Sequence, residues 1–237
     1  MKIELTNNIC GLGFVLLIFN LMKRSRSIIP RFKYKTPVAT MNDIILSLNK
    51  LKKTAQDLGA SDAKIISTSL IPVEDEIINL CKEPLCEDYG TSIYCPPHAM
   101  KPKRFRELVS KYENAVLFKI DVSSRILLSK ERFGEFRKIY EIGAQLRAAA
   151  IEAGFFKSKG FAAGSCKPVF CPEYQCQALI NGKTCRCPDK ARPSMEAVGI
   201  NVFKLLRAVG WEINKITENS DPESVQNGIL AGMLLVG

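Results

Sequence analysis

An α/β or α+β sandwich is the fold class this sequence predicts, with two similar halves sharing one core. Three observations carry that prediction. Helical and extended apolar patterns alternate along the chain from residue 42 onward. Two cysteine triplets, Cys81, Cys86, Cys95 and Cys171, Cys176, Cys185, share the spacing C-x4-C-x8-C at a displacement of 90 positions. A helix-end string precedes each triplet, Ala55-Gln-Asp-Leu-Gly59 in one half and Ala150-Ile-Glu-Ala-Gly154 in the other. The spacing predicts a helix–strand–Cys loop–helix–strand unit over about 42–122 and a second over about 130–217.

Residues 1–40 are expected to be an extension or a short hydrophobic anchor preceding a Cys-rich domain at 41–237. The apolar run from Ile9 to Met22 has 14 residues, short of the roughly 20 that a spanning helix needs. Lys23, Arg24 and Arg26 follow the run, the reverse of a cleaved secretory signal. They would keep the rest of the chain on the cytoplasmic side if the run inserted. The expected location is therefore cytoplasmic, at the cytoplasmic face of a membrane if residues 9–22 contact one.

In the first unit, Ile44, Leu48, Leu51, Ala55 and Leu58 share one face of a helix that Gly59 ends. A strand is expected near Lys64 to Ile71, then a short helix from Glu74 to Leu80 and a Cys-rich loop to Pro97. Pro102 introduces a helix over Lys103 to Tyr112, and Ala115 to Val122 reads as a strand. In the second unit, Phe133, Phe136, Tyr140, Leu146 and Ala150 mark one long helix, stopped by Gly154. Phe155 to Ala163 is the expected strand into the second Cys loop, and Pro193 opens a helix through Ala208. Trp211 to Thr217 is expected as a strand, and Gly228 to Val236 as a last, buried one.

Of 237 residues, 46% are hydrophobic and 24% charged, which excludes a disordered or all-membrane chain. The net charge is +10, but residues 1–40 hold seven basic residues against one acidic. The remainder is too weakly basic to call for nucleic acid, and none is expected as a partner. A single histidine, His98, leaves little room for His-based zinc sites or a His-dependent triad. No phosphate-binding loop, dinucleotide fingerprint, nucleophile elbow, H-E-x-x-H or C-x3-C-x2-C radical triplet occurs.

The chemistry therefore rests on cysteine. Eight of the nine lie in the two loops: Cys81, Cys86, Cys95, Cys166, Cys171, Cys176, Cys185 and Cys187. Thiolates are soft ligands that suit iron–sulfur clusters or zinc. Eight of them make two four-coordinate sites, expected as two [4Fe–4S] clusters, with four-cysteine zinc sites as the alternative. No C-x2-C pair of the zinc kind occurs, and proline follows Cys95, Cys171 and Cys187, as it follows the last ligand of a ferredoxin motif. Disulfides rank last, because nothing indicates export.

The ligand count is unequal, three in the first loop and five in the second. Cys166 is expected to complete the second site and Cys187 to lie toward the first, with His98 as another fourth ligand there. A first site lacking a fourth ligand would keep an open metal corner for substrate. Basic residues such as Lys167, Lys183 and Arg186 would partly act as counterions. Arg192 and Ser194, beside the helix start at Pro193, are candidates to hold a cluster sulfur or an anionic substrate, with Gly164 shaping the adjacent turn. Electron transfer or a reductive step follows, with a redox protein or small-molecule acceptor as partner. The alternative is a non-enzymatic binding module shaped by structural zinc.

Four strings carry a family resemblance: Cys86-Glu-Asp-Tyr-Gly90, Tyr94-Cys-Pro-Pro-His98, Gly164-Ser-Cys166 and Arg192-Pro-Ser-Met-Glu-Ala197. Together they resemble a widespread prokaryotic domain family of unknown function, described as predicted metal-binding proteins. The resemblance runs from about Met41 to Gly237. It implies metal binding through the cysteines and supplies no reaction.

Overall fold

The computed structural model describes residues 40–217 and 219–237, so the apolar run at 9–22 and the expected anchor lie outside the described residues. The helices are α1 (Met41–Asp57), α2 (Pro102–Val109), α3 (Ser124–Leu127), α4 (Arg132–Glu152), α5 (Cys166–Phe170), α6 (Gln177–Ile180) and α7 (Val202–Ala208). The strands are β1 (Asp62–Ser67), β2 (Asn114–Ser123), β3 (Lys159–Phe161) and β4 (Asn227–Val236).

Local chemistry sets the ends of the two long helices. Thr40 caps α1: its hydroxyl accepts the Asp43 N–H at 3.2 Å, and the Asp43 carboxylate accepts the Thr40 N–H at 2.9 Å. Gly59 (φ 103°) and Gly154 (φ 93°) end α1 and α4 in the left-handed region. In both cases the following residue donates back into the last turn, Ala60 to the Ala55 carbonyl at 3.0 Å and Phe155 to the Ala150 carbonyl at 2.9 Å. The matching strings at the two helix ends thus adopt matching stops.

The strands form one sheet in the order β1-β2-β4-β3, and every neighbouring pair is antiparallel. This decides between the two expected classes: the fold is α+β, since an α/β fold would need a parallel sheet. Alternate residues of the central strands feed opposite cores. Val116, Phe118, Ile120 and Val122 of β2, with Leu230 and Leu234 of β4, face α1 and α4. Ala115, Leu117, Ala231, Met233 and Leu235 face α2 and α7 on the other side. Phe105 of α2 meets Phe161 of β3 edge to face at 5.3 Å.

Several expected elements differ: the strand expected over Phe155 to Ala163 narrows to β3, and the helix expected at Glu74 to Leu80 is a 3-10 helix at Asp75–Cys81. Residues 211–217 carry no strand, and β4 instead takes the central place beside β2. That position is buried on both faces, which suits the continuous apolar run of β4 (NGILAGMLLV). The polar residues Glu212, Asn214 and Lys215, which fall on both faces of an extended chain, suit at most an exposed edge. The helix expected from Pro193 to Ala208 is broken into a 3-10 turn at Glu196–Val198 and α7. Gly199, at φ 91°, separates them. A Cβ there would lie 2.7 Å from Pro102 Cγ and 3.0 Å from the Glu74 carbonyl, so close approach of the two halves requires glycine at this break.

Candidate metal centre

Each cysteine of the first loop sits at a tight turn. Cys81 ends a 3-10 turn, Asp75–Cys81, and its carbonyl accepts the Cys86 N–H at 3.0 Å. The Cys95 carbonyl accepts N–H bonds from His98 and Ala99 at 2.9 and 3.0 Å. The second loop uses short helices. Cys166 opens α5 behind the Ser165 cap, Cys171 closes it, and Cys176 caps α6. Tyr140 of α4 pins this loop from below, donating to the Gly164 carbonyl at 3.1 Å and packing edge to face on Phe170.

The loops meet through reciprocal thiol–hydroxyl contacts. Cys95 Sγ lies 3.4 Å from Ser165 Oγ of the opposite loop, and Cys166 Sγ lies 3.7 Å from Ser92 Oγ. Flanking backbone joins them as well: Glu74 N–H donates to the Gly199 carbonyl at 2.8 Å, and Asn201 N–H to the Pro72 carbonyl at 2.9 Å. The Glu74 carboxylate adds bonds from Asn201 Nδ2 and Lys204 Nζ at 2.8 and 2.6 Å.

Cys81, Cys86, Cys95, Cys166, Cys171, Cys176 and Cys185 are free thiols. Cys187 is buried in the core, and its N–H approaches Cys185 Sγ at 3.4 Å. Burial, then Cys86, Glu196 and Cys95, push the Cys81 thiol up to about 11. Burial pushes Cys166 up to about 12, opposed by the Ser92 hydroxyl and reinforced by Cys95, Cys185 and Cys171. Cys166 therefore stands between the triplets and feels sulfurs of both. Burial raises Cys171 as well, while Arg186 and Lys167 act in the opposite sense, which gives these two cations the counterion placement expected of them.

The other expected site residues divide. Ser194 is buried, and its hydroxyl accepts the Ala197 N–H at 3.1 Å. Gly164 turns the chain at φ 65°, under Phe136, whose ring would be 2.8 Å from an added Cβ. Arg192 folds back on its own loop, with Nη1 donating to the Pro188 and Ala191 carbonyls at 3.0 and 2.9 Å. Its guanidinium is thereby committed to the loop backbone, while its Nε is buried without a partner. His98 is exposed in the turn after Cys95.

A cavity of about 700 Å³ opens beside the first triplet. Cys81, Cys86 and Cys95 line it, as do Gly164, Ser165 and Ser194, whereas Cys171, Cys176 and Cys185 do not. Two carboxyl groups, Asp88 and Glu196, join this lining. Burial raises Asp88, with Lys167, the Ser165 hydroxyl and Arg132 opposing. Burial also raises Glu196, with its own N–H and the Ser194 hydroxyl opposing. The available signal for Glu196 was its setting between Met195 and Ala197-Val198, which makes it a lone carboxylate in an apolar run.

Among the described residues no three Cys, His, Asp or Glu side chains converge tightly enough to hold a single metal ion. The donor set itself fits a soft metal: unpaired thiols concentrated in two abutting loops, with hydroxyl groups as hydrogen-bonding partners. Neither the curated proteins nor the solved structures contain a match to this chain. A family model described as "Predicted metal-binding protein" does match, over residues 64–236. That match takes in both cysteine loops and all four strands except the first two residues of β1 and, with the thiol-rich junction, the conclusion is that the chain belongs to this predicted metal-binding protein family, DUF2284.

Proposed function

We propose that the two loops hold two cysteine-ligated metal centres, as [4Fe–4S] clusters, that serve electron transfer or a reductive step. The observation that supports this reading is the junction itself, where one free thiol from each loop, Cys95 and Cys166, meets a serine hydroxyl of the other loop. Cys81, Cys86 and Cys95 would hold the first centre, and Cys171, Cys176 and Cys185 the second. Cys166, placed between them, would complete one. Bound clusters would supply one-electron transfer. The chain's own part is to bury the centres, offer hydroxyl donors to the sulfurs, and set Lys167 and Arg186 against the accumulated negative charge.

The partner in this reading is a redox protein or a small-molecule acceptor, and the setting is the cytoplasm. No helix among the described residues is long and apolar enough to cross a membrane. The recurrence of helix, strand, Cys loop, helix and strand, as α1-β1-α2-β2 and then α4-β3-α7-β4, supports an internal duplication in which each half brings one centre. Four-cysteine zinc sites are the second reading, favoured by the shortness of the C-x4-C gap.

Anaerobic purification followed by absorption spectroscopy and metal analysis tests the proposal. Broad visible absorbance with iron and acid-labile sulfide is the expected result. A colourless protein carrying stoichiometric zinc would establish the second reading instead.

A further inference from the structure

The cavity beside the first triplet has an apolar wall for which metal binding has no use. Leu128, Phe133, Phe203 and Ile216 contribute hydrocarbon to its lining, and two lining carboxyl groups act on the triplet's thiols, Glu196 on Cys81 and Asp88 on Cys95. Pockets of about 300–1,000 Å³ lined mainly by apolar side chains with a few polar groups take drug-sized molecules, and this one measures about 700 Å³.

Charge at the polar end selects the head group. Glu87, Asp88 and Glu196 line it against one guanidinium, Arg132. Asp88 is partly countered by Lys167 and Arg132. No salt bridge reaches Glu196 among the described residues, and burial raises its carboxyl, so a cationic group beside it would restore the ionised form. Metal-bound thiolates would add further negative charge at the same end. A carboxylate or phosphate head would be repelled there, and a positive head attracted.

We propose that this cavity binds a small molecule with an apolar body and a cationic amine head, the head lying at Glu196 beside the first cysteine triplet. The proposal deepens the metal-centre reading, because the triplet closes the polar end of the same cavity and the bound molecule would be presented to that centre alone.

The full chain, purified anaerobically and assayed for iron, zinc and sulfide, is titrated with dansylcadaverine and, separately, with its carboxylate counterpart dansyl-6-aminohexanoic acid. The amine is expected to bind with blue-shifted emission and about tenfold or more tighter than the acid, as a charged head in a low-dielectric site requires. Leu128→Arg, which sets a cation in the apolar wall, should abolish binding, and Glu196→Gln should erase most of the preference for amine over acid. Phe203→Arg on the same wall serves as a second blocking variant, and circular dichroism on each variant reports the fold. Equal binding of the two probes, preference for the acid, or amine binding that survives both arginine variants would overturn the proposal. Metal without amine binding refutes the cavity assignment alone. Amine binding in a protein that carries no metal refutes the metal centre alone.

Discussion

Protonation is the first consequence of where the thiols sit. Cys81 and Cys166 are pushed up to about 11 and about 12 from an ordinary 9.0, so in metal-free protein at neutral pH both are neutral thiols. A metal must displace those protons, and its affinity should fall as the solution is acidified. The same shifts act on stability. Above pH 9 an unfolded chain loses protons that the folded metal-free protein retains, so the contribution is complete below about pH 9 and is lost as pH rises through 11 to 12. In loaded protein the ligand thiols are already deprotonated, so below about pH 9 unfolding takes up protons and this slope reverses. Denaturant midpoints of both forms between about pH 7.5 and 10.5 should therefore diverge, with the metal-free form losing more. Parallel curves would mean that these thiols are not ligands. Legibility in the sequence was uneven at this scale. The identity and grouping of the cysteines could be read from spacing alone. The burial of Glu196 and Asp88 could not, because a carboxylate in a loop carries no mark of what will fold over it. Nor could the direction of Arg192, a cation beside a helix start whose guanidinium donates to carbonyls of its own loop.

Among the elements, the central strand pair carries the tightest constraint. Phe118 of β2 and Gly232 of β4 are register partners. An added Cβ on Gly232 would stand 2.4 Å from Phe118 Cζ and 3.1 Å from the Phe161 carbonyl. Phe118 is fully buried against α1 and α4, so the ring has no free space to enter. Gly232→Ala should cost about 1–3 kcal/mol, the usual range for overpacking a filled core, while Gly134→Ala, with nothing within 4 Å of the new carbon, serves as the tolerated control. Urea denaturation of both variants decides the point, and equal midpoints would show that the ring can move aside. The long helices and their glycine stops were legible from periodicity, because each is fixed by its own few residues. The strand expected at 211–217 was not. Its alternation of apolar and polar residues holds from Trp211 to Asn214 and breaks at Lys215, while the place it would fill belongs to β4, and competition between distant segments leaves no local signature.

The molecule as a whole is a single antiparallel sheet with helices on both faces and the two Cys loops joined to each other beyond it. The capping box at Thr40 satisfies the start of the first helix from Thr40 and Asp43 themselves, and the family match begins only at residue 64. A chain beginning at Thr40 should accordingly fold with a denaturation midpoint within error of the full chain and retain its metal content. Thermal melts and metal analysis on the two lengths provide the check. A truncated chain that aggregates or loses metal would make the first 39 residues part of the domain. Sheet order also bears on the proposed duplication: β1 with β2 and β3 with β4 form equivalent outer pairs around the β2–β4 contact, the arrangement that two copies sharing one sheet would give.

By itself the sequence determined most of the elements and the donor atoms on offer: amphipathic helices with their stops, apolar strands, and two cysteine triplets at one spacing. These are local quantities, set by the period of a pattern or by the donor atoms of a side chain, and they survive whatever the rest of the chain does. Tertiary structure alone decided that the sheet is antiparallel, that β4 rather than residues 211–217 completes it, and that the thiols of the two loops meet across Ser92 and Ser165. It also placed Cys81, Cys86 and Cys95 on the wall of a cavity. Each of those outcomes depends on which distant segments bury each other's surface, a choice made by packing energy summed over the whole core and not written in any single stretch of residues.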